Sequence, residues 1–168
     1  MFICYFLYIL LKQLRNRKLR FKMNNKVFYL VYGIPGSGKS TYVEKHLKNK
    51  IVNIQHFEAD MYFYINKNNV YNFDFKKLSN AHNWCKRNCV KAMEKEVPIC
   101  VSNTSLTTKE RKFYFEKAKE FNYSIYVHYC DNEFQNIHNV PPEKIQQMKN
   151  KLTKVTEEEI KKFNINFV

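Results

Sequence analysis

The chain has 168 residues and a formal net charge of +14, and its length suits one domain built around a single core. Hydrophobic residues make up 45% of it and aromatic residues 16%, which excludes a disordered or low-complexity polypeptide. Half of the net charge lies in residues 1–26, which hold seven Lys and Arg residues and no acidic residue. The remaining basic charge favours encounters with polyanions but specifies none of them.

Residues 1–22 form an N-terminal extension in which the apolar stretch Met1–Leu11 precedes a basic run. Eleven residues are about half of what a membrane-spanning helix needs, and the order of apolar and basic segments is the reverse of a secretory signal. We predict an upstream extension or a disordered tail. The alternative is contact with an anionic membrane surface, through an apolar wedge followed by Lys and Arg.

From residue 26 onward, short β-branched or aromatic runs alternate with amphipathic segments. The predicted strands are residues 26–32, 52–57, 97–101 and 123–129. The predicted helices are residues 39–48, 74–95 (with Asp74 as N-cap), 107–121, 141–152 and a short one capped by Thr156 and Glu159. In the helix at 74–95, Phe75 and Leu78 begin the predicted buried face. Residues 66–72, before this helix, are predicted to form a polar loop.

A Gly-x-x-x-x-Gly-Lys-Ser loop stands between the first predicted strand and the first predicted helix. It contains all three glycines of the chain, where the backbone must bring its N–H groups close to phosphate oxygens. We expect Lys39 to reach the β- and γ-phosphates and Ser40 to bind Mg²⁺. The residues predicted to contact a nucleoside triphosphate, ATP or GTP, are Gly33, Pro35, Gly36, Ser37, Gly38, Lys39, Ser40 and Thr41.

The alternation of strands and helices implies parallel strands joined by right-handed crossovers. We therefore predict an α/β fold: a three-layer P-loop NTPase of the kinase-like kind, with a mostly parallel sheet and a small helical lid. This domain is expected to span residues 23–155, followed by a short helix and tail over 156–168. The five cysteines are odd in number and lack zinc-finger spacing, which favours a reducing intracellular compartment, cytoplasmic or nuclear.

Phosphoryl transfer also needs a group that orients or deprotonates the acceptor near the γ-phosphate. Asp60 follows the second predicted strand, and Glu58 lies two residues earlier. One of these carboxylates is expected to accept the proton of an acceptor hydroxyl, and Asp60 is the candidate catalytic residue together with Lys39. The structural alternative for Asp60 is a helix N-cap.

With these residues in place, the chain resembles the polynucleotide-kinase-like P-loop kinases, in particular the small domain called NEDD-four-binding-protein-two-like. The resemblance covers roughly residues 27–152 and depends on several motifs in order. These motifs are Gly33–Thr41, Glu58–Phe63, Ala81–Trp84, Val101–Thr104 and Asn136–Pro141. The resemblance implies transfer of the γ-phosphate of ATP to the 5′-hydroxyl of DNA or RNA, with Asp60 as general base.

The preference for Asn, Lys, Tyr, Phe and Ile is typical of an AT-rich coding sequence, such as that of a large DNA virus.

Two segments depart from the pattern of that family. Its members carry an aspartate after the third strand that helps to hold the magnesium shell, where this chain has Ser102 and Asn103. They also carry arginines just before the Asn-x-His segment, where this chain has Phe134 and Gln135. Two alternatives to a polynucleotide kinase therefore stay open. One is a degenerate nucleotide-binding or interaction module, and the other is a kinase for a small hydroxylated metabolite.

Overall fold

The structure is a computed structural model that describes residues 26–64, 71–134 and 140–168. The predicted extension over residues 1–22 lies outside this part of the chain, as do most of the polar loop predicted at 66–72 and most of the Asn136–Pro141 segment. Within the described ranges, no helix combines the length and apolarity that crossing a membrane requires.

A five-stranded sheet forms the centre of the domain, with strand order β2-β3-β1-β4-β5 and parallel pairing between neighbours. Its strands are β1 (Val27–Tyr32), β2 (Gln55–Phe57), β3 (Ile99–Val101), β4 (Ser124–Tyr129) and β5 (Ile165–Phe167). From β1 the chain first builds one side of the sheet and then the other. The loop after β1 therefore leaves at a switch point, which is where open parallel sheets bind ligands.

Helices connect these strands. The α-helices are α1 (Lys39–Tyr42), which continues as a π-helical segment (Val43–Lys48), α2 (Leu78–Glu94), α3 (Thr108–Glu120), α4 (Pro142–Lys151) and α5 (Glu157–Phe163). Two 3₁₀-helices, Ala59–Tyr64 and Phe75–Lys77, lie between β2 and α2. The helix α4, which belongs to the predicted lid, contains no buried residue.

Side chains of β1 enter two separate cores on opposite faces of the sheet. Phe28 and Leu30 belong to the larger core, which includes buried residues of α2, α3 and α5. Val31 belongs to a smaller core with Val43 and Leu47 of the π-helical segment. A strand that is buried on both faces needs a continuous apolar run, which explains the sequence of β1. The predicted three-layer α/β fold is confirmed.

Several predicted boundaries differ from the structure. The second strand begins at Gln55 instead of residue 52, because Asn53 takes a left-handed turn with φ of 60°. Phe75 is 70% exposed, so its predicted place on the buried helix face is wrong. Asp74 caps a separate 3₁₀ turn by accepting a hydrogen bond from the Lys76 amide, and the α-helix begins only at Leu78.

The C-terminal residues add to the sheet. The short helix predicted after Thr156 is α5. Its capping box is complete, with reciprocal hydrogen bonds between Thr156 and Glu159. Residues 165–167, expected as a tail, form the edge strand β5, which pairs with β4. The Phe163 ring lies 5.5 Å from that of Phe115 in α3. Residues 156–168 are thus packed as part of the domain.

Arg111 of α3 is fully buried and fixes the C-terminal region to the rest of the domain. Its guanidinium donates to both carboxylate oxygens of Glu159, over 3.2 Å from Nε and 3.0 Å from Nη2. It also donates to the carbonyl oxygens of Ser105, Thr153 and Lys154. Burial alone would raise the pKa of Glu159, but the Arg111 hydrogen bonds lower it overall. The charge of Arg111 is therefore committed to the fold.

We expect Arg111→Ala to lower the free energy of unfolding by about 3–5 kcal/mol, because it leaves the Glu159 carboxylate buried without its partner. The control is Arg87→Ala on the exposed side of α2, which should change stability by less than about 0.5 kcal/mol. Urea unfolding followed by circular dichroism measures both. Equal stability of the two variants would contradict the structural role of Arg111.

Candidate functional site

The loop of residues 33–40 follows β1 and is walled by the segments that follow β3 and β4. The Gly33 amide donates to the Thr104 carbonyl oxygen over 3.3 Å, and the Phe134 amide donates to the Gly36 carbonyl oxygen over 2.8 Å. The three segments meet because β3 and β4 flank β1 in a parallel sheet. The carboxyl ends of the three central strands thus enclose the loop.

Two of the loop glycines have positions that a side chain would disturb. A Cβ atom on Gly33 would lie 2.3 Å from the Cys130 carbonyl oxygen and 2.6 Å from Ser37 Oγ. A Cβ atom on Gly38 would lie 2.7 Å from Cε2 of Phe134, and the residue has a left-handed φ of 88°. Glycine meets both demands because it has no Cβ atom.

Lys39 begins α1 with its side chain folded over the loop. Its Nζ donates to the Ile34 carbonyl oxygen over 2.8 Å. Burial lowers the pKa of Lys39, while the charges of Glu58 and Asp60 act in the opposite direction. The ammonium group is therefore partly desolvated and lies in the field of two carboxylates, where a polyphosphate would provide further counter-charge.

Ser40 is joined to a partly buried carboxylate that directly follows a different strand, β2. Its Oγ donates to Glu58 Oε1 over 2.9 Å. The same Glu58 oxygen accepts from Ser102 Oγ over 2.5 Å and lies 3.1 Å from His56 Nε2. His56 Nε2 is in turn 2.6 Å from Ser102 Oγ. The ends of β2 and β3 and the start of α1 therefore meet at Glu58.

The hydrogen bonds favour the ionised form of Glu58. Burial alone would raise its pKa, but the contacts with His56, Ser102 and Ser40 lower the pKa to about 2. An ionised carboxylate only accepts hydrogen bonds, so Glu58 is already engaged by groups of the protein. The sequence offered Glu58 and Asp60 as alternative proton acceptors. The structure engages Glu58 with Ser40, and the role of Asp60 as the base stays a prediction.

Asp60 lies in the 3₁₀-helix Ala59–Tyr64, directly beyond β2. It is the second residue of this helix, so the N-cap alternative is wrong. Burial is the largest influence on three nearby pKa values: it lowers those of Lys39 and His82 and raises that of Tyr71. The negative charge of Asp60 raises all three pKa values. The charge of Asp60 therefore acts on the lysine of the loop and on His82 of α2.

Asn103 has a structural role. Its Oδ1 accepts from the amide of Ala59 over 2.8 Å, and its Nδ2 donates to the hydroxyl of Tyr114 over 3.2 Å. These contacts fix the 3₁₀-helix that carries Asp60 to the end of β3. Asn103 is therefore used by the fold and does not replace the acid that the family carries after its third strand.

An open cavity of about 510 Å³ lies beside the helix that carries Asp60. Four of its seven lining residues are aromatic, and two of them are strongly exposed, Phe73 at 49% and Phe75 at 70%. The residues that line this aromatic pocket are Tyr62, Phe63, Asn72, Phe73, Asp74, Phe75 and Lys77. Sequence reasoning missed it, because Phe75 was assigned to the core.

Among the residues that the structure describes, no arginine lies at the loop. Outside residues 1–25 the chain has two arginines, Arg87 and Arg111; Arg111 is buried against Glu159, and Arg87 is an exposed residue of α2. Phe134, at a position where the family carries arginine, places its ring over Gly38 and is 59% exposed. Gln135 lies outside the described residues.

These residues fit a nucleoside triphosphate with Mg²⁺. Ser37 Oγ is buried and has no hydrogen-bond partner among the described residues, and the glycine positions keep the loop free of side chains where phosphates would lie. Ser40 and Glu58 present hydroxyl and carboxylate oxygens, the donors that Mg²⁺ prefers. Ser40 would hold the ion, which would neutralise charge on the phosphates during transfer.

The fold and the loop define a P-loop kinase-like domain. A family model described as an AAA domain matches residues 28–164, and the chain belongs to that family. NEDD4-binding protein 2 of Homo sapiens is 34% identical over 132 residues, which are 73% of this chain and 7% of that protein. The resemblance to polynucleotide-kinase-like P-loop kinases, predicted from the motifs, is confirmed.

Solved structures show the same fold. A chain of the Pnkp1/Rnl/Hen1 complex has a TM-score of 0.53 and 13% identity, with coverage of 80% of this chain and 42% of that chain. A second structure, of the Pnkp1/Rnl/Hen1 RNA repair complex, has a TM-score of 0.53 and 13% identity, with coverage of 83% and 43%. This chain thus spans less than half of those chains and a small fraction of the curated relative.

We expect Gly38→Ala to weaken MgATP binding at least tenfold. The left-handed conformation alone costs an alanine about 1–2 kcal/mol, and the new Cβ atom would meet Phe134. Isothermal titration calorimetry measures the affinity, with Lys45→Ala, exposed and one helical turn beyond the loop, as the control. Unchanged affinity in Gly38→Ala would contradict a phosphate-binding loop of this geometry.

Proposed function

We propose that this domain uses ATP and Mg²⁺ to phosphorylate a hydroxyl group, and that the acceptor is the 5′-hydroxyl end of DNA or RNA. The observation that carries the proposal is the division between two carboxylates after β2. Glu58 is engaged with Ser40 of the loop, whereas Asp60 lies two residues further along, where its charge acts on Lys39, in the 3₁₀-helix whose Tyr62 and Phe63 line the aromatic pocket.

Each group has a distinct role in this proposal. Lys39 and the loop bind the β- and γ-phosphates. Ser40 would hold the Mg²⁺ ion. Asp60 accepts the proton of the attacking hydroxyl. A positioned general base contributes about 10²- to 10⁴-fold to such a reaction. The protein performs the remaining work by holding the acceptor in line with the γ-phosphate.

The aromatic pocket favours a nucleic-acid end over a small anionic metabolite. Pockets for anionic metabolites use arginines as bidentate partners, and no described arginine lies here. Exposed rings such as Phe73 and Phe75 instead offer faces on which bases stack. The basic surface of the chain also favours a polyanion. The fold neighbour from an RNA repair complex is consistent with this acceptor class.

A nucleotide-binding module without turnover is the second candidate. It is favoured by one observation, the absence of an arginine over the loop, where Phe134 lies instead. An arginine that acts on the transition state is worth about 10³- to 10⁵-fold in rate. The two candidates differ in one measurable respect, since the module binds nucleotide and transfers no phosphate.

We expect the wild-type chain to label 5′-hydroxyl oligonucleotides from γ-labelled ATP with Mg²⁺. Asp60→Asn should lower the rate about 10²- to 10⁴-fold and leave ATP affinity unchanged. Lys39→Ala should abolish ATP binding. The assay compares DNA, RNA and a panel of small hydroxylated metabolites as acceptors, with ATP and GTP as donors.

The outcomes of this assay separate the candidates. Labelling that survives Asp60→Asn at the wild-type rate would remove Asp60 as the base. Labelling confined to a metabolite would replace the acceptor class. ATP binding that is lost in Lys39→Ala, without transfer to any acceptor in the wild type, would establish the module.

We expect Phe73→Ala/Phe75→Ala to raise the KM for the oligonucleotide roughly 5- to 100-fold, because stacking contributes about 1–3 kcal/mol per base. The KM for ATP should stay unchanged. Phe167→Ala is the matched control, since Phe167 is an exposed aromatic residue of the edge strand β5, at 59% exposure. Equal oligonucleotide KM values in the two variants would remove the pocket from the acceptor site.

A further inference from the structure

We infer that Glu58 is the acid that orients the magnesium-binding hydroxyl of Ser40, and that this function has moved from the end of β3 to the end of β2. This inference rests on the proposed function, because it assumes that the loop binds a nucleotide with Mg²⁺. It adds a positioning residue that neither the family resemblance nor the sequence motifs indicated.

The direction of the hydrogen bond between Ser40 and Glu58 decides which part of the Ser40 hydroxyl is available to a cation. A serine hydroxyl has one proton to donate and lone pairs that accept. Ser40 gives its proton to Glu58 Oε1 over 2.9 Å, so the lone pairs of its oxygen face away from the carboxylate and are available to a cation. Hydrogen bonding to an anion also makes the oxygen a better donor to metal, which is how outer-shell carboxylates act at metal sites.

The register of the sheet brings the ends of β2 and β3 to the same place. In P-loop NTPases the metal is held by the Ser or Thr of the loop together with an acid at a strand end. Here β2 pairs with β3, with Phe57 opposite Val101, so the residues that follow the two strands lie side by side at the same edge. Glu58 follows β2 and Ser102 follows β3. A carboxylate can therefore reach Ser40 from either strand.

Glu58 and Ser102 are in direct contact. Ser102 Oγ lies 2.5 Å from Glu58 Oε1 and donates to it. His56, whose side chain is 6% exposed, lies within 3.1 Å of the same oxygen. Ser102 therefore acts as a support that holds the Glu58 carboxylate in place. A small hydroxyl at the end of β3 leaves the space that the Glu58 carboxylate occupies.

The experiment measures the effect of Mg²⁺ on ATP affinity. The wild type is titrated calorimetrically with ATP in Mg²⁺ and in EDTA, and Mn²⁺ binding to the ATP complex is followed by electron paramagnetic resonance. We expect Glu58→Gln to keep the ATP affinity measured in EDTA and to lose about 10- to 100-fold in affinity for the metal. Glu44→Gln, an exposed carboxylate on the π-helical segment that pairs with Lys48, should behave as wild type.

A rescue variant tests the proposed exchange between the strands. In Glu58→Gln/Ser102→Asp the carboxylate returns to the end of β3, at a position already within hydrogen-bond distance of residue 58. We expect this variant to recover at least part of the metal affinity, which a merely structural role for Glu58 would not produce. Circular dichroism confirms that each variant is folded. Should Glu58→Gln not fold, Ser102→Ala should lower metal affinity and leave affinity in EDTA unchanged.

Different results overturn the two proposals. If the wild type binds ATP more tightly with Mg²⁺ and Glu58→Gln retains the whole gain, the role of Glu58 is refuted and the proposed kinase is untouched. If the wild type does not bind ATP, or binds it equally in Mg²⁺ and in EDTA, the nucleotide and metal assignment itself fails, and the role of Glu58 fails with it.

Discussion

The arrangement of the site depends on one partly buried carboxylate, that of Glu58. Removing a carboxylate from water is costly unless donors surround it, and here the donors come from the loop helix through Ser40, from the end of β3 through Ser102, and from β2 through His56. Hydrogen bonds to a charged group are worth about 1.5–3 kcal/mol each. Asp60 lies two residues further along the chain, in the 3₁₀-helix that Asn103 holds through the amide of Ala59.

The phosphate loop could be predicted from the sequence because its determinants are local. Glycines at fixed offsets, a lysine, a serine, a preceding apolar run and a following helix are all contained within residues 27–48. The order of strands and helices followed from periodicity in the same way. The position of Asp60 just beyond β2 could be predicted because a strand end indicates where a residue will lie, and its role as the base stays a prediction. The role of Glu58 was not recognisable, since Ser40 and Ser102 come from distant parts of the chain and meet Glu58 only through the β2–β3 register.

Elsewhere the local patterns were insufficient or misleading. Phe75 continues the helical spacing of α2, but the Asp74 cap begins a separate 3₁₀ turn and leaves the ring exposed. Strand β5 has three residues and one buried side chain, which is too short a pattern for a strand prediction. Arg111 is one of two arginines after residue 25, and only the packing of α5 against α3 shows that its charge belongs to the fold.

The two departures from the family pattern differ in their consequences. For the missing acid after β3 we infer a replacement, because the Glu58 carboxylate lies beside Ser102 and contacts Ser40. The missing arginine has no such replacement among the described residues, since Arg111 is buried and Lys149 of α4 is paired with Glu133 at 3.1 Å. In the proposed function, Asp60 as general base would contribute about 10²- to 10⁴-fold to the rate. An arginine that acts on the transition state is worth about 10³- to 10⁵-fold, so we expect the proposed kinase to be slow.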